Sequence, residues 1–187
     1  MDHRQQYRRA QLELSRVVAG IADEQLDLPT PCSEWTVKGL LRHLVAVNYG
    51  EVAAFADEPY DQETDPRLDT DLRNLYAEAA DDAWKILAED SALDRLVPFA
   101  GQDRPGWVRI SFHFIDAFIH TWDLRRAVGR PAPLDQDLVP AALEVAGLIP
   151  DDDTARGPGK AFGPALPSSP EASDAERLLR LVGRSPE

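Results

Sequence analysis

Three side chains able to hold a metal or move a proton, His113, Asp116 and His120, stand at i, i+3 and i+7 within residues 107–130, WVRISFHFIDAFIHTWDLRRAVGR. An α-helix advances about 100° per residue, so the three share one face, within about 60° of one another. Arg109 and Asp123 extend the same stripe at its two ends, while Val108, Ile110, Phe112, Phe114, Ile115, Phe118, Ile119, Trp122 and Leu124 cover most of the remaining circumference. A helix apolar nearly all round is a buried helix. Its polar stripe then faces either a narrow strip of solvent or the interior of a bundle. Solvent faces usually carry Lys, Glu and Gln, yet residues 111–121 contain none of them. Buried Asp and His are costly unless paired or bound to metal. The stripe therefore reads as one suited to coordination.

Asp116 and His120, four residues apart, present their donors to one point. One carboxylate with one or two neutral imidazoles suits Zn²⁺, Ni²⁺ or Fe²⁺. A second helix offers His43, on the flank of its apolar stripe, where a side chain can reach a neighbouring helix or simply lie half-buried. His113 has several open roles: a fourth ligand, a partner that orients a ligand, a proton shuttle, or a ring packed against Asp116. Arg109 suits either an anionic substrate group or an ion pair. Asp123 reads as a cap or salt-bridge residue, Trp35 and Trp122 as core. Cys32 lies just before a helix start, where a thiolate is favoured, although a lone cysteine is usually inert. The chain has no G-x-S-x-G elbow, Walker loop, G-x-G-x-x-G or C-x-x-C. Gly157-Pro158-Gly159-Lys160 resembles a phosphate loop in composition only.

The elements that must position these residues follow from periodicity. Residues 5–19 place Tyr7, Leu12, Leu14, Val17 and Val18 at helical intervals. Ser33 is a candidate N-cap for a second helix over 34–55, with Val37, Leu40, Leu41, Leu44, Val45 and Asn48 as its stripe. The acidic, proline-bearing run 57–70 is a long loop, a lid or a crossover. A third helix opens at Asp69 or Thr70 and runs to Leu87. Residues 88–106 form a second crossover, in which 93–100 suggests a short strand without an evident partner. The histidine helix stops at Gly129, ahead of Pro131. A shorter helix is expected over 135–148, an irregular Pro/Gly-rich arm over 150–173 and a last helix over 171–182. The expected organisation is a metal-binding bundle over 1–149, with 150–187 packed on the same domain.

At 187 residues the chain suits one domain with a sizeable core. Its 33 acidic against 20 basic side chains give a formal charge of −13. That surface repels phosphate backbones and anionic membranes, which argues against both as partners. No apolar run approaches the roughly 18 residues of a membrane span, and MDHRQQYRRA has no apolar core behind it to make a secretory signal. One cysteine allows no intrachain disulfide, which suits a cytoplasmic protein. Four long apolar-faced helices with two long connections imply an all-α four-helix bundle, an architecture that builds metal sites from facing helices.

The runs PTPCSEWTVKGLLRHLV (29–45) and DAFIHTWDLRRAVGR (116–130), with the tail GKAFGPALP…ERLLRLVGR, resemble the DinB-like superfamily. More closely, they are similar to the actinobacterial metal-binding group that includes the N-terminal domain of mycothiol-dependent maleylpyruvate isomerase. The resemblance spans nearly the whole chain. It implies a four-helix bundle with crossover connections, and a metal, usually zinc, held by His43, Asp116 and His120. The isomerase has Glu where this chain has Asp116, one methylene shorter. It also has a separate C-terminal domain with no counterpart expected here, so maleylpyruvate isomerisation does not transfer directly. The expected function is a metal-dependent enzyme using a low-molecular-weight thiol on a small-molecule substrate, as a mycothiol-type transferase or isomerase. The alternatives are a metal-dependent hydrolase and a non-catalytic metal-binding module. Monomer and homodimer are both open.

Overall fold

The computed structural model describes residues 1–32, 34–158 and 160–186. Ser33, assigned above as a cap, and Gly159 of the Gly-Pro-Gly-Lys run lie outside the described residues. Helix α1 (His3–Ala19) opens with a capping box: Asp2 accepts from the Gln5 amide, and the Gln5 side chain accepts from the Asp2 amide. It buries Tyr7, Ala10, Gln11, Leu14, Val17 and Val18. Helix α2 (Val37–Ala56) starts three residues later than its periodicity suggests, with the Thr36 hydroxyl accepting from the Gly39 amide. The reason lies upstream. Pro29 and Thr36 form an antiparallel bridge, and the Trp35 amide donates to the Cys32 carbonyl, so Trp35 and Thr36 are held by the preceding segment and not by a helical turn. All six residues of the expected α2 stripe are buried.

Helix α3 (Leu72–Leu87) begins after Asp71, whose side chain accepts from the Arg73 amide. The strand suggested near 93–100 does have a partner. β1 (Leu96–Phe99) pairs antiparallel with β2 (Gln102–Pro105), and Ala100 and Gly101 turn between them with positive φ. Helix α4 (Gly106–Ala127) follows at once. A glycine is required at its first position, because a Cβ there would sit 2.0 Å from the Ala92 carbonyl oxygen. α1 lies along α4 and α2 along α3, and contacts between α1 and α3 and between α2 and α4 close a four-helix bundle. From Ile110 to Leu124 every residue of α4 except Phe112 is buried. Its polar stripe thus faces the bundle interior.

Two shorter helices, α5 (Val139–Ala146) and α6 (Asp174–Leu181), pack against each other, and α5 packs on α4. The irregular arm between them is tied down by Arg156, which is buried and donates to the carbonyls of Ile149, Pro150, Gly163 and Leu181. Phe162 of the arm is buried as well. Among the described residues no helix is long and apolar enough to cross a membrane.

Candidate metal centre

α2 contributes His43, and α4 contributes Asp116 and His120. His43 Nε2 lies 3.1 Å from Asp116 Oδ1, and His120 Nε2 lies 3.3 Å from the same oxygen. One donor atom from each of the three falls within 4.8 Å of the others. His120 is fully buried, Asp116 nearly so, and His43 is half-buried. Two of the donors, Asp116 Oδ2 and His120 Nε2, are buried without a hydrogen-bond partner among the described residues. Orphaned buried donors and acceptors are rare, because each forfeits its hydration for nothing. Here two of them converge beside a third polar group, a pattern that suits a divalent cation: two imidazole nitrogens and a carboxylate are a zinc-type donor set.

The electrostatics agree. Burial raises the Asp116 carboxyl, but the neighbouring His43 and His120 outweigh it and hold the group well below the usual carboxylate range. Burial lowers His120, but Asp116 and Asp123 outweigh it and hold the ring well above its ordinary value. The pocket therefore favours positive charge at its centre, whether as a proton or as a metal ion.

Behind His120 is a second polar group. His120 Nδ1 lies 2.8 Å from Asp123 Oδ2, and Asp123 is fully buried. Arg184 donates to both Asp123 oxygens, Nε to Oδ1 at 3.0 Å and Nη2 to Oδ2 at 2.9 Å. Burial raises Asp123, but the Arg184 guanidinium outweighs it, and the carboxyl stays below its ordinary value. Cys32 Sγ donates to Asp123 Oδ2 at 3.3 Å and accepts from Arg184 Nη2 at 2.8 Å. Cys32, His120 and Asp123 also bring donors within 4.8 Å of one another. The guanidinium already supplies the positive charge there, so this trio is an ion-pair network.

The remaining stripe residues stand apart from the metal trio. Arg109 donates to Glu51 at 2.7 Å and to the carbonyls of Pro98 and Gly50, so the geometry takes up the ion-pair role left open for it. His113 Nδ1 lies 3.2 Å from Glu51 Oε1, and its Nε2 lies 3.3 Å from Gln11 Nε2. Of the roles open to His113, orienting partners at Glu51 and Gln11 replace contact with Asp116. Sequence reasoning missed Glu51, although it continues the α2 stripe at i+3 from Asn48 and is a carboxylate on a buried face. It also missed Gln11 and Arg184. Trp122 is core as expected, but Trp35 is half-buried, and its ring centroid lies 4.7 Å from that of His43.

A cavity of about 840 Å³ borders the site. His43, Asp116, Arg109 and His113 line it, with Trp35, Phe99, Phe112 and Phe162 as its aromatic wall. Arg42 and Glu51 of α2, Tyr60, Asp61, Gln62 and Glu63 from the acidic loop and Lys160 from the arm also line it.

Fold and site together describe a helical bundle with a candidate metal centre between facing helices. Residues 7–125 match the family model of the mycothiol maleylpyruvate isomerase N-terminal domain, and the chain belongs to that family. Over 185 residues it is 31% identical to two Mycobacterium tuberculosis proteins, Rv0738 of strain ATCC 25618 / H37Rv and MT0763 of strain CDC 1551 / Oshkosh, covering 99% of this chain and 99% of each relative. The crystal structure of mycothiol-dependent maleylpyruvate isomerase is similar with a TM-score of 0.62 at 15% identity, covering 79% of this chain and 68% of that one. A histidine-to-alanine mutant of that enzyme gives 0.59 at 16% identity with the same coverage. At such identity the likeness is one of fold. His43, Asp116 and His120 all fall within the matched segment, whereas Arg184 lies beyond it.

Proposed function

We propose that His43, Asp116 and His120 bind one divalent cation, zinc ahead of Ni²⁺ or Fe²⁺, and that the chain is an enzyme acting on a small molecule with a low-molecular-weight thiol as cosubstrate. The observation that carries this reading is the convergence of His43 Nε2 and His120 Nε2 on the Asp116 carboxylate, with Asp116 Oδ2 and His120 Nε2 both buried and without a hydrogen-bond partner among the described residues. Bound there, the cation supplies Lewis acidity, which lowers the pKa of a thiol or water. Three protein ligands are the usual set for a catalytic zinc, with one place left for substrate. His43 and Asp116 both border the cavity, so a ligand entering it meets the metal-binding groups directly. Trp35, Phe112 and Phe162 give the cavity an apolar wall against which the carbon skeleton of a small molecule could pack. His113 lines the same space, its two ring nitrogens set against Glu51 and Gln11.

The thiol enters through family membership, since the solved relative is a mycothiol-dependent isomerase. Transferase and isomerase chemistry both fit, and a reducing cytoplasm would keep such a thiol competent. The same reading takes 1–149 as the metal-binding bundle and 150–187 as its arm within one folding unit. The test is a matrix assay of the zinc-loaded protein, with mycothiol or bacillithiol against a panel of electrophiles that includes maleylpyruvate. Thiol-dependent turnover that disappears in His120→Ala is expected. Turnover without thiol would select metal-dependent hydrolysis, and silence across the matrix would leave a binding module.

A further inference from the structure

The side of His120 away from the metal trio is closed by residues from the far end of the chain. Its Nδ1 meets Asp123 Oδ2 at 2.8 Å. A carboxylate only accepts, so this contact keeps a ring proton on Nδ1, and a cation bound between His120, Asp116 and His43 would take the place of any proton on Nε2. Asp123 is in turn fixed in its plane by Arg184, through Nε and Nη2 to its two oxygens. The guanidinium is itself immobilised. It is 3% exposed, and it donates to the Val182 and Ala161 carbonyls, each at 2.8 Å. The backbone that delivers Arg184 tolerates only glycine at the preceding position: Gly183 has φ +78, and a Cβ there would lie 2.6 Å from Gly163 Cα. Phe162, from the same arm, lies parallel to the His120 ring, 6.4 Å between centroids.

We propose that Arg184 is a positioning residue for the metal centre: through Asp123 it holds His120 in the Nδ1-protonated form and in the orientation that presents Nε2 as a ligand. The proposal rests on the metal-ligand reading given above. It makes the tail a working part of the centre, although it lies outside the segment shared with the family model. Groups that orient a liganding histidine typically change metal affinity by 10- to 100-fold when removed.

The experiment uses the full chain without an affinity tag, with zinc affinity measured by chelator competition. In parallel, long-range ¹H–¹⁵N correlation of the four histidine rings reports the His120 tautomer. Arg184→Ala is expected to weaken zinc binding about tenfold or more and to mix the His120 tautomers, with Arg184→Lys in between, since one ammonium cannot span both carboxylate oxygens. A folded Arg184→Ala with wild-type affinity and a single unchanged tautomer overturns the proposal. If Arg184→Ala fails to fold, Arg184→Lys decides, and unchanged affinity and tautomer there overturn it equally. His120→Ala separates the two layers. Should it retain zinc, the ligand set is wrong. Should it lose zinc while the Arg184 variants keep theirs, only the positioning role falls.

Discussion

Glu51 shows how one residue ties the stripe of α4 to α2. It is 2% exposed and faces Arg109 on one side and His113 on the other. Burial raises its carboxyl, but His113 and then Arg109 outweigh burial, and the group sits below its ordinary 4.5. A carboxylate with a lowered folded-state value contributes stability that is fully present above the unfolded value and is lost as pH falls through the folded one. Glu51→Gln leaves the half-buried Arg109 guanidinium without its counter-charge and is expected to cost about 1–2 kcal/mol at neutral pH. The variant's stability should also fall less steeply than the wild type's between pH 4.5 and the onset of acid unfolding, as read from urea melts across that range. At this scale the sequence was informative wherever a polar residue stood on an apolar helix. Asp116 and His120 were visible for that reason, and Glu51 was equally exposed to the argument. Arg184 gave no signal, because nothing in the local pattern of the tail points to a carboxylate 61 positions earlier.

Among the elements, periodicity carried most of the bundle. α2 and α4 bury what their spacing says they bury, because a 3.6-residue repeat of large apolar side chains has no other stable disposition. Ends were harder to read. Ser33 and Thr36 are both good caps by type, and the choice between starts was made by the Pro29–Thr36 bridge, a contact that helical periodicity does not contain. β2 was missed for a related reason: Gln-Asp-Arg-Pro has no apolar alternation and is a strand only through its pairing with β1. The observed cap makes a direct prediction. Thr36→Ala removes the hydroxyl that accepts from the Gly39 amide and should cost about 1 kcal/mol. In thermal melts that is a fall of roughly 2–4 °C for a chain of this size.

At the scale of the whole molecule, the chain brings an anionic surface, a cavity and a cation-seeking trio into one bundle. A formal charge of −13 draws cations toward the surface and repels anions at long range. Recognition of any anionic ligand would therefore fall to the cavity, where Arg42 and Lys160 stand among the lining residues. Helical periodicity foretold an all-α bundle. It could not foretell that the Pro/Gly-rich arm would reach back to the rear of His120, since irregular backbone has no period from which to read a destination.

The central claim is that His43, Asp116 and His120 share one divalent cation. The most direct measurement is elemental analysis of protein purified without an affinity tag, beside Asp116→Ala and His120→Ala, with thermal melts before and after chelation. The account predicts about one equivalent of metal in the wild type and a loss of affinity beyond about 100-fold in either variant, since even orienting partners are worth 10- to 100-fold. It further predicts a fall in Tm on chelation of roughly 5–10 °C, in the wild type alone. A wild type that takes up no stoichiometric metal, or variants that keep theirs, would contradict it.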